Sequence, residues 1–472
     1  MSLDKKKILN GLTLVGIGIC VLTLLYAHTK SFFSYDVSLY KYYISTGVFS
    51  AFLLYLLFSG TEAQEKSLSV LGSILFTIYL VELILFCIPS WFFNPLHRQA
   101  WLQGVKVDSR SKLQVVNDLN SKDIKAVPSV TPLHILNSKG PDFSPSGIFP
   151  LSGVPDRFTV FCNEQGPWVN YHSDRHGFNN PDNVWDTRTT DVFMMGDSFT
   201  QGVCVNREST MAGVLRRAGL TVVNGGMAGS GPLIEKAILN EYAVPKKPRF
   251  VVWNYVEAND LFDLKNELNS DYLTKYKDSQ FKQNLYKKPE AVRRTLKETL
   301  RKKRKFLRAT EGYTIFDILR LRHTSKFIDL VKPRVRRSLG IAETRSPDSV
   351  ADPEQLRKIL SQVNDKVKTW DGQLLFVYLP IWERYRRGMT ETAMQEHFKR
   401  KEILNMVRDL GVPVLDLHAD FFKHQENPKR FFPYRTGGHY NELGYCHASR
   451  LIAEKIASID QQTEKLSVRC QE

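Results

Sequence analysis

The heptapeptide Gly196-Asp197-Ser198-Phe199-Thr200-Gln201-Gly202 follows directly on the apolar run Val192-Phe193-Met194-Met195. That order puts a serine hydroxyl at the end of a buried strand, on the turn that opens a helix, where backbone N–H groups gather. A serine so placed is a nucleophile or a phosphate-turn residue, although Gly-Asp-Ser after a strand is also an ordinary turn and N-cap. Three further clusters follow. Val222-Val223-Asn224-Gly225-Gly226-Met227-Ala228-Gly229 runs into a glycine-rich turn, and Val251-Val252-Trp253-Asn254-Tyr255-Val256-Glu257-Ala258-Asn259-Asp260 ends in Asn-Asp. Gly438-His439-Tyr440-Asn441-Glu442-Leu443-Gly444 precedes the last helical stretch. The chemistry needs these types: a serine is a weak nucleophile until an imidazole takes its proton, and the resulting oxyanion needs preorganised N–H donors.

The series resembles the SGNH (GDSL) hydrolase superfamily, whose four blocks supply Ser, Gly, Asn and His, over roughly residues 165–460. The resemblance implies that Ser198 is the nucleophile and His439 the general base. It also implies that the Ser198 and Gly229 backbone and the Asn259 side chain form the oxyanion hole. Two positions depart from the pattern. Ala258 stands where the family has glycine, and the aspartate expected two or three residues before the histidine is replaced by Gly437 and Thr436. An orienting aspartate is worth roughly 10⁴ in rate in serine hydrolases. Its place falls to the Thr436 hydroxyl, a backbone carbonyl, or a carboxylate such as Asp416 or Asp420, with Asp197 a further supporting candidate. Otherwise the site is a degenerate one that only binds.

Strand-like runs at 190–195, 220–224, 249–256, 373–380 and 412–417 are continuously apolar, as in parallel strands buried on both faces. Helical patterns, for example 353–369 and 391–410, lie between them. The fold class expected is α/β: a doubly wound, flavodoxin-like parallel sheet with the site at the strand C-termini. Residues 96–164 read as a linker and domain rim, and 165–472 as the SGNH-type domain. The stretch 172–182, which includes Arg175 and His176, reads as a structural turn near the pocket.

The first quarter is different material. Runs at 8–26 and 42–61 carry no charge, and 67–93 carries only Glu82. Each is long enough for a hydrocarbon core of about 30 Å, which needs roughly 20 residues, so three transmembrane helices are expected within 1–95. The chain is 43% hydrophobic overall, so this part is an anchor on a larger soluble domain. Lys5-Lys6-Lys7 and Lys66 favour a cytoplasmic N-terminus, while Lys30, Lys41, Arg98 and Lys106 oppose it. On balance the domain is expected on the extracytoplasmic side. Glu82 is expensive in lipid and is expected against another helix, a wet cleft, or a serine or tyrosine.

The net charge of +16 is uneven: 265–337 holds 22 Lys/Arg and 8 Asp/Glu, a balance of 22 − 8 = +14. This basic insertion, taken as about 265–350, carries Tyr313, Ile315, Phe316, Ile318, Leu319 and Leu321 in a pattern of short helices with one apolar side. It suits anionic lipid or an acidic glycan, or is a solvated decoration. No nucleic-acid motif accompanies the charge. No metal spacing and no Walker or Rossmann loop occurs, so no cofactor is expected. Two of the six cysteines lie in the apolar runs, and Cys162, Cys204, Cys446 and Cys470 leave the pairing open. The reading is a membrane-anchored serine esterase or acyltransferase acting on O-acyl groups, chiefly O-acetyl, of a carbohydrate. A transferase outside the membrane would need a membrane acyl-donor partner. The alternative is a non-catalytic glycan-binding or assembly protein.

Overall fold

The computed structural model describes residues 2–33, 40–88, 94–136, 147–257, 259–311, 350–386, 398–460 and 467–470, with residue 92 and ten positions between 318 and 332. The chain divides into two units, Met1–Ile88 with Thr314–Arg334, and Pro89–Tyr313 with Val335–Glu472. Ala258 and most of the apolar positions noted in the basic insertion (Tyr313, Ile315, Phe316, Leu319) lie outside the described residues.

In the first unit three helices form where the apolar runs lie: α1 (Ser2–Phe33), α2 (Tyr40–Phe58) and α3 (Thr61–Phe86). Of these, α3 is long and apolar enough to cross a membrane among the described residues; the apolar stretch Thr46–Phe58 is shorter. Gln64 on α3 donates to Asn10 and Thr13 on α1, and Cys20, Leu53 and Leu56 form a small buried cluster. Glu82 is fully buried. Its Oε1 accepts from the His323 backbone N–H at 2.9 Å and lies 2.7 Å from His323 Nδ1, and its Oε2 accepts from the backbone and hydroxyl of Thr324, both at 2.7 Å. The partner is therefore the start of a helical stretch in the inserted segment, in line with the other helix expected and not a serine or tyrosine. A single carboxylate can accept several hydrogen bonds at once, and burial in an apolar helix makes that satisfaction obligatory.

The second unit begins with α4 (Pro95–Leu102) and α5 (Lys112–Asn120). A small three-stranded sheet follows, β1 (Ala126–Pro128), β2 (Phe158–Cys162) and β3 (Val169–His172), with α6 (Pro132–Leu136) between its first two strands. Two of these strands, β1 and β2, fall within the stretch 96–164 read as linker and rim, and a small core of Val115, Val116, Ala126 and Val160 lies there. Scattered Pro, Ser and Gly concealed strands too short to show a period.

The main sheet has five parallel strands in the order β5-β4-β6-β7-β8. They are β4 (Val192–Gly196), β5 (Val222–Asn224), β6 (Phe250–Val256), β7 (Gln373–Leu379) and β8 (Val414–Asp416). Side chains alternate between two cores. Phe193, Met195, Val251, Trp253 and Phe376 pack on one face with α9 (Pro232–Ile238), α12 (Pro353–Lys368) and α13 (Arg400–Asp409). Val192, Met194, Val252, Leu375 and Val377 pack on the other with α8 (Met211–Arg217) and α15 (Glu442–Ile459). Burial on both faces is why these strands read as continuous rather than alternating runs. The remaining helices are α7 (Ser198–Gln201), α10 (Asp260–Glu267), α11 (Pro289–Glu311) and α14 (Leu417–Asp420). The insertion is only partly a decoration, because Leu273, Tyr276, Leu285, Val292 and Leu296 belong to the main core.

Strand order reverses between β4 and β6, so the crevice beyond their carboxyl ends is the topological switch point where such folds hold ligands. Gly196 ends β4 with φ +151°, and a Cβ there would meet Thr200 and the Asn254 carbonyl. Gly196→Ala is expected to lower unfolding stability by about 1–3 kcal/mol, as strained overpacking does. Chemical denaturation checks it.

Candidate active site

Ser198 is the first residue of α7, reached from β4 through Asp197, whose side chain caps the helix by accepting from the Phe199 N–H at 2.8 Å. His439 lies 241 positions later, in the loop before α15. That loop is fixed at both ends. The Tyr440 hydroxyl donates to the Pro380 carbonyl beyond β7 at 2.7 Å, and Asn441 caps α15 through the Gly444 N–H. Phe199 packs against both His439 and Tyr440. The outcome is a Ser198 Oγ to His439 Nε2 distance of 2.9 Å.

On the far side of the ring stands a residue that sequence reasoning missed. Glu164, in the turn between β2 and β3, places both carboxylate oxygens 3.1 Å from His439 Nδ1 and accepts from the His439 backbone N–H at 3.3 Å. A carboxylate there selects the tautomer with the proton on Nδ1, so Nε2 is free to accept the serine proton. Ser198 Oγ also lies 3.3 Å from Asp197 Oδ2, but the shorter contact to Nε2 takes the one hydroxyl proton. Burial works against a charged His439 ring, yet the Glu164 charge and hydrogen bond outweigh it, with a smaller contribution from Asp197. His439 therefore titrates above the ordinary histidine value. Burial likewise opposes the Glu164 carboxylate, and the charge and hydrogen bonds of His439 more than offset it, holding Glu164 below its usual range. The two side chains are 21% and 26% exposed, so the pair is sheltered but reachable.

Glu164 is held from its own side. Cys162 and Cys204 form a disulfide that ties the end of β2 to the segment just after α7. The Glu164 N–H donates to Cys204 Sγ at 3.1 Å, and Gln165 Nε2 donates to the Cys204 carbonyl at 2.8 Å. The carboxylate and the serine are thus joined by a short covalent path, two residues on one side and six on the other. Cys446 and Cys470 form a second bridge.

The expected oxyanion donors differ in state. Gly229 follows β5 with φ +75°, and a Cβ there would press into the Leu133 side chain of α6. Gln201, on the serine helix, accepts from the neighbouring Ala228 N–H at 2.8 Å and so draws this loop to the nucleophile turn. Among the described residues neither the Ser198 nor the Gly229 N–H donates to a protein acceptor. Asn259 is committed otherwise: its amide donates to Asp197 Oδ2 at 2.6 Å and, at a long 3.3 Å, to Asp263. Burial raises the Asp197 carboxyl above its usual range, and the Asn259 hydrogen bond is the largest opposing influence.

The other carboxylates considered for His439 lie in different contacts. Asp416 caps α14 through the Ala419 N–H and pairs with Arg400; Asp420 accepts from the Asp416 N–H; the Thr436 hydroxyl donates to the Tyr434 carbonyl. None of these serves the ring. A position 275 residues upstream of the histidine leaves no local signal, and only the β2–β3 turn brings it there. Arg175 pairs with Asp182 and Asp186 at the surface, while His176 is buried against Trp185 and Tyr286. This stretch is a structural turn built on buried Asp174, which accepts from His176, Phe178, Asn180 and Trp185. Among the described residues no His/Cys/carboxylate group has the arrangement of a metal site.

No family model matches the chain, and no curated protein matches it. Solved structures do. A lipase/acylhydrolase from Enterococcus faecalis aligns at 14% identity over 58% of this chain and 100% of its own, with a TM-score of 0.34. A G-D-S-L family protein from Desulfitobacterium hafniense DCB-2 aligns at 12% over 57% and 99%, with a TM-score of 0.31. A two-domain esterase (CEX) active on acetylated mannans aligns at 13% over 59% of this chain and 51% of its own, with a TM-score of 0.28. At such identities the likeness is general, and the chemistry rests on Ser198, His439 and Glu164 themselves.

Two outcomes follow from this geometry. A general base must be neutral, so kcat/KM should rise with pH through the His439 value, above that of an ordinary histidine. Glu164→Gln removes the charge that raises it, so the acid limb should move to lower pH while the plateau falls by about 10³–10⁴. A limb that stays in place removes Glu164 from the site. Separately, the double variant Cys162→Ala/Cys204→Ala releases a loop closed over 42 positions. It should lose up to about 4 kcal/mol of stability. At a temperature where the variant remains folded, kcat should fall more than KM rises.

Proposed function

We propose that this chain is a membrane-anchored serine ester hydrolase or O-acyltransferase of SGNH type, acting on O-acyl groups, chiefly O-acetyl, of a carbohydrate. The observation that carries the chemistry is the Ser198–His439–Glu164 relay, with 2.9 Å on the serine side and 3.1 Å on the carboxylate side. In this reading Ser198 Oγ attacks the acyl carbonyl carbon as its proton passes to His439 Nε2. The oxyanion is received by the Ser198 and Gly229 N–H groups at the start of α7 and the end of the β5 loop. The Asn259 amide joins them once substrate competes with Asp197 for its proton. Collapse expels the leaving group, the sugar alkoxide in hydrolysis or the carrier of the membrane acyl donor in transfer, which takes the proton from His439 and leaves an acyl-serine. Water activated by the same histidine then completes hydrolysis, and a second sugar hydroxyl completes transfer. Both outcomes use the same residues.

The apolar α3 supports an anchor, and the charge-free runs of α1 and α2 extend it to three spans. The two disulfides lie in the second unit and favour an oxidising compartment for it, which agrees with an extracytoplasmic domain. A transferase on that side draws its acyl group from a membrane donor, because acyl-CoA is cytosolic. The carbohydrate ester is what resemblance to tethered SGNH members implies. The binding-only alternative rests on the missing sequence-local carboxylate, and the Glu164–His439 contact supports the enzyme reading over it.

Labelling of the purified full chain with a fluorophosphonate should modify Ser198, as read by peptide mass. Ser198→Ala should abolish both labelling and release of acetate from an acetylated polysaccharide. Retained esterase activity in that variant would overturn the enzyme reading. A reporter fused after Glu472 should behave as extracytoplasmic, and a cytoplasmic result would withdraw the location alone.

A further inference from the structure

We propose that the basic face of α11 is a docking surface for anionic lipid headgroups. The inference rests on the membrane-anchor reading above. Within α11, Pro289–Glu311, nine residues are Lys or Arg and three are Asp or Glu. Lys297, Arg301, Arg304, Lys305 and Arg308 recur at spacings of 4, 3, 1 and 3, which puts them on one side of a helix. With Leu300 they line an open groove of about 510 Å³. The neighbouring stripe, Val292, Leu296 and Leu307, is buried, so the helix cannot roll to hide its charges. Arg301 shares Glu298; among the described residues Lys297, Arg304, Lys305 and Arg308 have no carboxylate partner.

Chain connectivity selects lipid over other polyanions. Only Gly312 and Tyr313 separate the end of α11 from Thr314, where the chain joins the unit that holds α3. In that unit His323 and Thr324 close on Glu82, four positions before the end of α3 at Phe86. One turn of helix is about 5.4 Å, so the inserted segment grips α3 near its end. Twelve positions of chain join Glu311 to His323, at most roughly 40 Å when extended, so the cationic helix is covalently tethered to a segment that holds a membrane span. Attraction to anionic headgroups decays within a Debye length, about 8 Å at physiological salt, and is sensitive to added salt.

The test uses the full chain in nanodiscs of phosphatidylcholine alone or with about one third phosphatidylglycerol. Acetylation rates of individual lysines are read by mass spectrometry. Lys297, Lys302 and Lys305 should react at least about threefold more slowly in the anionic discs, and 0.5 M salt should erase the difference, while Lys358 on α12 stays unchanged. These magnitudes follow from screened attraction at a charged surface. The variant Arg304→Glu/Lys305→Glu/Arg308→Glu leaves the buried stripe intact and should abolish the protection of Lys297 and Lys302 with unchanged circular dichroism. Equal rates in the two kinds of disc overturn the proposal while leaving the anchor standing. Protection by a soluble acidic polysaccharide in neutral discs, with none from anionic lipid, also overturns it and assigns the face to glycan. A chain that fails to enter discs at all overturns the anchor reading, and this proposal with it.

Discussion

An imidazole works far better as a base for serine when a carboxylate holds its other nitrogen, and the Glu164–His439 contact is the interaction on which the rest of the site depends. The ring cannot swing away from Ser198 without breaking contact with both Glu164 oxygens, each 3.1 Å from Nδ1. Glu164 in turn cannot drift, because Cys162 is bridged to Cys204 and the Glu164 N–H points at that sulfur. The carboxylate is therefore supplied by the small sheet and the nucleophile by the large one. Their junction, more than either sheet alone, determines whether the serine is reactive.

The same dependence explains the charge state of the site. His439 raised and Glu164 lowered are two views of one pair, each burdened by burial and relieved by the other. For Asp197 burial dominates, and the hydrogen bonds from Asn259 and the Phe199 N–H, with a smaller contribution from the His439 charge, restrain it only in part. A carboxyl that close to the serine is tolerable because its lone pairs are occupied. The engagement of Asn259 with Asp197 is the cost of that arrangement, since the same amide is wanted by an oxyanion.

Away from the site, buried charge is handled by the same rule. Glu257, just past the end of β6, is satisfied by Arg384, the Tyr378 hydroxyl and the Ile381 N–H. Glu82, in the apolar part of α3, is satisfied by His323 and Thr324. In both cases the group that satisfies the carboxylate comes from a distant stretch of chain, so each pair also fixes a long-range connection.

Short-range pattern was enough for much of this molecule. Apolar runs buried on both faces announced the five parallel strands, and the turns after them carried Ser198, Gly229 and Asn259 in readable motifs, because strand period and turn chemistry are local properties. The first two strands of the small sheet fell in a stretch read as linker and rim because strands of three to five residues are too short to show a period. Glu164 was missed for a deeper reason. Orientation of a ring nitrogen depends on which atoms arrive within about 3 Å, and a residue 275 positions away reaches that distance only through the β2–β3 turn and its disulfide. The sequence alone determined which chemistry was on offer and where along the sheet it would stand; only the tertiary structure decided which carboxylate completes it, since hydrogen bonding is set by distance in space and not by spacing along the chain.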